Sequence, residues 1–445
     1  MSDLLELLQT LIRNRCVNDG TRSGGNEAVS VATLAEFFGQ AGTSVEPSPG
    51  RQSVIYRVRG SRADAPRLAL VPHLDVVPAN PAGWSVDPFG AEVVDGHVWG
   101  RGAVDMLDLT AAMALAFRSY LSGDLPPLSG DLLFIATADE EAGGGLGAKV
   151  LVEEHWDLVA CEYLLTEVGY PALSGVNGPV HPISVGEKGP FWTKLRSKGT
   201  PGHGSVPFLS DNALQAMTEA LSGLFDTPTP VTVTDDWRRF VEGLDLDQGL
   251  REALVDPDRI DTAIDLLAVQ DPGWAAYLHA ITHLTVSPNV VRAGVKSNVI
   301  PDRAEAEVDL RGLPGMDRRQ VDEYLRKAMG AAADRVEIVP VTDFPATASP
   351  TDNLLWDAIL DGLEAETGSR DAIPTWVPAA TDARFWRSRG TVCHGVSLFD
   401  EGQSFSEFLS LFHGNDERIS ITAVEATARL MSKVVESFGT RVAAG

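Results

Sequence analysis

Cysteine is scarce in this chain. Only Cys16, Cys161 and Cys393 occur in 445 residues. An odd count at wide spacing supports neither a disulfide framework nor a paired-cysteine metal motif. It suits a reducing compartment, and the expectation is a cytoplasmic protein. Basic residues are also few, 36 Lys and Arg against 62 Asp and Glu, for a formal net charge of -26. No basic face is available for a nucleic-acid partner. No apolar run approaches the roughly 18 residues of a membrane span. The first twenty residues read as an amphipathic helix and not as a charged start followed by an apolar signal core. Internal repeats and low-complexity tracts are absent as well.

What is present is an ordinary globular composition, 44% apolar, in a length that implies two domains or one large domain with an insertion. Short apolar runs at Val54 to Val58, Leu68 to Val71, Leu132 to Ala136 and Tyr163 to Leu165 alternate with helical stretches. Runs that are apolar on both faces indicate an α/β fold, a mainly parallel sheet sandwiched by helices. Past Val180 the pattern changes. Phe191 to Ser197 and Ala304 to Leu310 alternate, as half-exposed strands do, and helices at Asn212 to Phe225 and Arg318 to Ala332 would cover the other face. The expected organisation is a discontinuous body, residues 1–188 and 344–445, with an inserted α+β domain at 189–343. Residues 228–283, with Trp237 and Trp274, read as an extra helical piece of that insertion.

Several side chains able to hold metal fall where a strand runs into a loop. His73 follows Leu68 to Pro72, Glu140 and Glu141 follow Leu132 to Ala136, and Glu167 follows Tyr163 to Thr166. That edge of an open α/β sheet is where ligands bind. A lone histidine is usually a satisfied or surface residue, but His73 has Asp75 two residues on, a spacing that lets a carboxylate reach the far ring nitrogen of a metal-bound imidazole. Adjacent acids can divide labour, one coordinating while the other takes a proton from water. Asp105 sits after Gly100-Arg101-Gly102, and a carboxylate there can bridge two cations. His413 closes the set in Phe-His-Gly-Asn-Asp-Glu. Oxygen and imidazole ligands without thiolate suit two catalytic divalent ions, zinc first, with cobalt or manganese as alternatives.

The chain resembles the co-catalytic dizinc aminoacylase family, which includes acetylornithine deacetylase, succinyl-diaminopimelate desuccinylase, glutamate carboxypeptidase and several dipeptidases. The matching segments are His-Leu-Asp-Val-Val-Pro (73–78), Gly-Arg-Gly-Ala-Val-Asp-Met (100–106), Ala-Asp-Glu-Glu-Ala-Gly-Gly (138–144) and Thr-Pro-Gly-His-Gly-Ser-Val-Pro (200–207). Ser-Asn-Val-Ile-Pro (297–301), Asp-Leu-Arg (309–311) and His-Gly-Asn-Asp-Glu (413–417) complete them, in the family's order. The resemblance implies His73 and Glu167 on one ion, Glu141 and His413 on the other, and Asp105 between them. It implies Glu140 as general base, Asp75 as orienting carboxylate and His203 as oxyanion stabiliser, in the site of its own chain or of a partner subunit. It implies Asn298 and Arg311 on the substrate, Arg311 through a carboxylate, which a planar guanidinium suits. Arg384, in Thr-Asp-Ala-Arg (381–384), is a further candidate for a substrate acid.

The expected activity is hydrolysis of the amide of an N-acyl amino acid or short peptide bearing a free carboxylate, in a homodimer formed through the inserted domain. The alternatives are a dipeptidase or carboxypeptidase, and a catalytically silent binder of small acids. The silent reading calls for loss of Glu140 or a ligand, and none is lost. Gly143-Gly144-Gly145 lacks the Lys-Ser/Thr ending and glycine spacing of a phosphate loop. Two departures stand out: Met106-Leu107-Asp108 replaces the family's Met-Lys-Gly, and the 228–283 segment is long enough to cover the usual dimer surface.

Overall fold

The structure, a computed structural model, describes residues 2–444. The large sheet runs in the order Thr43–Ser48, Arg51–Val58, Leu132–Ala136, Leu68–Leu70, Tyr163–Thr166, Val392–Gly395, Gly178–Glu187 and Thr347–Ala348. Its centre, from Leu132–Ala136 to Val392–Gly395, is parallel and its flanks are antiparallel. The central strands are apolar at every position because each feeds two cores. Leu68, Leu70, Leu132 and Phe134 face one, beneath the helices Ser2–Arg13, Leu107–Leu121 and Ile421–Ala444. Ala69, Val71, Leu133 and Ile135 face the other, with Leu151, Val152 and Trp386. This two-sided burial is the expected α/β architecture.

Within 189–343 a smaller antiparallel sheet carries Thr193–Lys198, Thr285–Ala293, Arg303–Gly312 and Val336–Pro340. Arg303–Gly312 alternates buried and half-exposed residues along its length. Ala304, Ala306, Val308 and Leu310 pack on Met217, Leu224, Val321 and Leu325 of the helices Ala213–Asp226 and Arg318–Met329. The opposite face is polar, with Lys194 and Arg196 paired to Glu305. No helix among the described residues is long and apolar enough to cross a membrane.

Residues 228–283 form four helices, as expected, but they do not join this small core. Trp237, Phe240, Tyr277 and Leu278 belong to the large core of the body. The helix Asp235–Gly243 packs on the strand Ala372–Val377, Trp376 Nε1 donates to Asp236, and Tyr277 bonds Thr375 at 2.5 Å. The physical reason is vacancy. Two helices already cover the inner face of the small sheet, whereas among the described residues Ala372–Val377 pairs only with Gly178–Glu187 and leaves apolar surface to cover.

Candidate metal centre

Strand register brings the candidate ligands to one edge. Leu70 pairs in parallel with both Phe134 and Leu165, so the three carboxyl ends are level. His73 lies three residues past the first, Glu140 and Glu141 open a short turn past the second, and Glu167 directly follows the third. The turn before the helix Leu107–Leu121 supplies Asp105, and the loop after the helix Phe405–Leu411 supplies His413.

Two ligand groups result, and they share Asp105: His73, Asp105 and Glu167, and Asp105, Glu141 and His413. His73 Nε2 lies 3.2 Å from Asp105 and 3.6 Å from Glu167. His413 Nε2 lies 3.3 Å from the other Asp105 oxygen and 3.2 Å from Glu141. Buried Glu141 Oε1 has no hydrogen-bond partner among the described residues, an orphan acceptor that a cation would satisfy. Two imidazoles and three carboxylates, one placed between two groups, fit a pair of borderline-hard divalent ions.

The electrostatics show the strain of this much carboxylate in one place. Burial, reinforced by Glu167, raises Glu140 well above the carboxylate range. Burial and repulsion from Asp105 lift Glu141 to about 7. Burial also lifts Asp382, to about 7. Burial would raise Asp105 too, but hydrogen bonds from His413 and His73 hold it below its ordinary value. Divalent cations would relieve the repulsion.

Asp75 departs from its expected geometry. Its carboxylate stands 3.7 Å from His73 Nδ1, while its backbone carbonyl accepts from that nitrogen at 2.9 Å. The carbonyl fixes the Nδ1–H tautomer and leaves Nε2 to face Asp105 and Glu167. The Asp75 carboxylate instead accepts from the backbone N–H groups of Glu140 and Glu141, both at 3.1 Å, and from Asn18 at 2.8 Å. Asp75 therefore orients the imidazole through its main chain and the Glu140–Glu141 turn through its side chain.

Glu140 has no side-chain hydrogen bond among the described residues and lines a cavity of about 410 Å³ together with Asp105, Glu141, Glu167 and His413. Arg311 and Arg384 line the same cavity. Arg311 is paired with Asp309 at 3.0 Å. Arg384 donates to the carbonyls of Thr381 and Gly143, both at 2.6 Å, and packs over Phe385. Its first task is to tie two loops beside the centre. His203 and Asn298 do not reach this cavity. Both are exposed at a separate two-stranded ribbon, where Gly202–His203 pairs with Val299–Ile300, and His203 Nδ1 faces Ser205 Oγ at 2.8 Å.

Sequence reasoning missed Glu417. It is fully buried and accepts from Arg101 at 2.6 Å, Val104 N at 2.7 Å, Gly102 N at 3.1 Å and Asp105 N at 3.2 Å. Arg101 in turn donates to the carbonyls of His413 and Gly414. One ion pair thus fastens the Asp105 turn to the His413 loop. The available signal was its place in His-Gly-Asn-Asp-Glu, where only the histidine was read for function.

The sequence profile of Peptidase family M20/M25/M40 matches residues 69–437. Succinyl-diaminopimelate desuccinylase of Methylobacterium sp. (strain 4-46) is 27% identical over 449 residues, covering 98% of this chain and 96% of that protein. The human N-fatty-acyl-amino acid synthase/hydrolase PM20D1 is 26% identical over 403 residues, covering 87% and 77%. Among solved structures, an M20 family metallo-carboxypeptidase from Sulfolobus solfataricus superposes with a TM-score of 0.73 at 17% identity, covering 99% of this chain and all of that one. Human carnosine dipeptidase 1 gives 0.70 at 16%, covering 99% and 96%.

Proposed function

The chain belongs to peptidase family M20/M25/M40, and from that premise we propose how this metal-dependent hydrolase of amide or peptide bonds is assembled. Two divalent ions, zinc by the chemistry of the donors, are held by His73, Asp105 and Glu167 and by Asp105, Glu141 and His413. The observation that carries the reading is the pair of ligand groups sharing one carboxylate, next to an uncommitted glutamate in a cavity. Bound there, the ions supply Lewis-acid polarisation of the scissile carbonyl and acidify water.

Glu140 lies outside both ligand groups on the cavity wall. It takes the proton of the attacking water and returns it to the leaving amine. Arg311 takes the substrate carboxylate, exchanging part of its contact with Asp309 for a bidentate one. Arg384 adds positive potential without leaving its two carbonyls. The substrate is an N-acyl amino acid or a short peptide. The inserted domain, 189–343, closes over it, and three buried, unpaired cysteines suit a cytoplasmic enzyme.

A homodimer through the inserted domain brings His203 and Asn298 to the cavity of the second copy. Val206, Phe208, Leu209 and Val295, near them, are 67%, 87%, 89% and 92% exposed, an apolar patch of the kind that marks an interface. The deciding experiment is Glu140→Ala with metal analysis. The variant keeps about two metal equivalents while turnover of acyl-amino acids and dipeptides falls about 10³-fold, the scale of a lost general base. Undiminished turnover refutes the role of Glu140, and a metal-free, active wild type refutes the centre.

A further inference from the structure

The two walls of the cavity differ in chemistry. The wall beside the small sheet carries Trp192, Thr342 and Arg311. The wall supplied by the body is apolar: Val168, Tyr170, Val377, Leu409 and Phe412. Among the described residues only two permanently cationic side chains line the cavity, Arg311 and Arg384; both terminal nitrogens of Arg384 already donate to carbonyls, and only its buried Nε has no partner. A bidentate carboxylate contact is therefore left to Arg311 alone, whose partner Asp309 is itself a carboxylate that a substrate acid can replace in part. A second carboxylate on the substrate would have to lie against the apolar wall, where a desolvated charge costs several kcal/mol.

The apolar wall is also buttressed by the helical segment that packs on the body. Tyr170 lies 5.3 Å from Tyr277 and stacks on Phe405 at 5.4 Å. Phe405 is held in turn by Trp274 at 4.8 Å and Tyr277 at 4.7 Å. Phe408, in the same cluster, packs edge-on against Phe412 at 4.8 Å. Residues from the 228–283 segment thus fix the rings that face the substrate, and such clusters hold shape because their contacts interlock.

We infer that the enzyme is specific for monocarboxylic amides whose other half is a bulky apolar group, aromatic or aliphatic, seated against the Tyr170–Leu409–Phe412 wall, and that the 228–283 segment exists to make that wall. The inference rests on the amide-hydrolase reading above and adds the substrate class. The apolar group displaces water from the body wall while Arg311 pairs with the carboxylate across the cavity. Each buried methylene favours the apolar acyl group.

The test is kcat/KM of the metal-loaded enzyme on N-acetyl, N-succinyl, N-benzoyl and N-octanoyl derivatives of alanine, leucine and glutamine. Benzoyl and octanoyl substrates are expected to exceed succinyl by ~10-fold or more, the scale of a few apolar contacts in a pocket. Leu409, half-buried on the wall, offers the second arm. Leu409→Arg supplies the missing cation and should move the benzoyl-to-succinyl ratio at least ~10-fold toward succinyl, with metal content unchanged. Succinyl substrates equal to or better than apolar ones overturn the substrate class while leaving the hydrolase reading intact. An unmoved ratio in the Leu409 variant overturns the role of the wall. No turnover of any member while dipeptides are cleaved overturns this inference alone, and no turnover of acyl-amino acids or dipeptides overturns the hydrolase reading with it.

Discussion

His413 and His394 titrate in opposite directions within one body, and the difference lies in their partners. Hydrogen bonds from His413 to Asp105 and Glu141 push its imidazole up to about 10. His394 is fully buried, its Nε2 faces Asn353 Nδ2 at 3.2 Å, and burial with the nearby Arg387 charge pushes it down to about 3. The consequence for stability has a definite sign. The folded pKa of His394 lies below the unfolded value of about 6.5, so between those values the unfolded chain binds a proton that the folded chain refuses. That contribution is fully present above pH 6.5 and is lost as pH falls toward 3. Between pH 6.5 and 5 it amounts to about 2 kcal/mol. A His394→Leu variant should therefore lose less stability than the wild type over that interval, by about this amount, in urea midpoints measured at each pH. Parallel pH dependences in the two proteins would show that His394 is not the group responsible.

At the scale of elements, the centre depends on loops being fastened to each other, and Glu417 is the fastener. Its two oxygens accept four hydrogen bonds that tie the Asp105 turn to Arg101, and Arg101 holds the His413 loop. A Glu417→Gln change puts an amide donor against backbone donors and leaves the Arg101 charge uncompensated. The expected result is a folded protein, judged by circular dichroism, whose metal affinity in calorimetric titration of the metal-free form falls about 10–100-fold. Unchanged affinity would reduce Glu417 to a stabilising residue. Elements of this kind mark where the sequence was legible and where it was not. His73, Glu140, Glu141 and Glu167 were readable because each follows an apolar strand, and parallel register brings such ends together. Glu417 was not, because its partner Arg101 is 316 residues away. The two-residue spacing of His73 and Asp75 pointed to the right pair but could not tell a carbonyl from a carboxylate. The helices of 228–283 announced an apolar face, yet amphipathicity does not say which surface will cover it.

At the scale of the whole molecule, the proposed homodimer rests on where His203 and Asn298 stand. His203 and Asn298 stand at a separate two-stranded ribbon, outside the cavity that their own chain builds. The helical segment packs on the body, so it does not share the core of the small sheet from which a lid-to-lid contact would be made. The exposed residues Phe208 and Leu209 lie five and six positions beyond His203. The proposed two-fold dimer through that patch would make each site a composite of one chain's Glu140 and the other's His203. Such a dimer has a signature that no monomer reproduces. Glu140→Ala and His203→Ala are each expected to be nearly inactive, the latter by about 10²–10³-fold if it supplies an oxyanion donor. When the two are co-expressed, half of the dimers are mixed, and each mixed dimer carries one intact composite site and one doubly damaged site. Activity should return to roughly a quarter of wild type by random pairing, with a dimeric mass by light scattering. Should His203 serve its own chain, co-expression would restore nothing, because every chain would lack one of its two required groups.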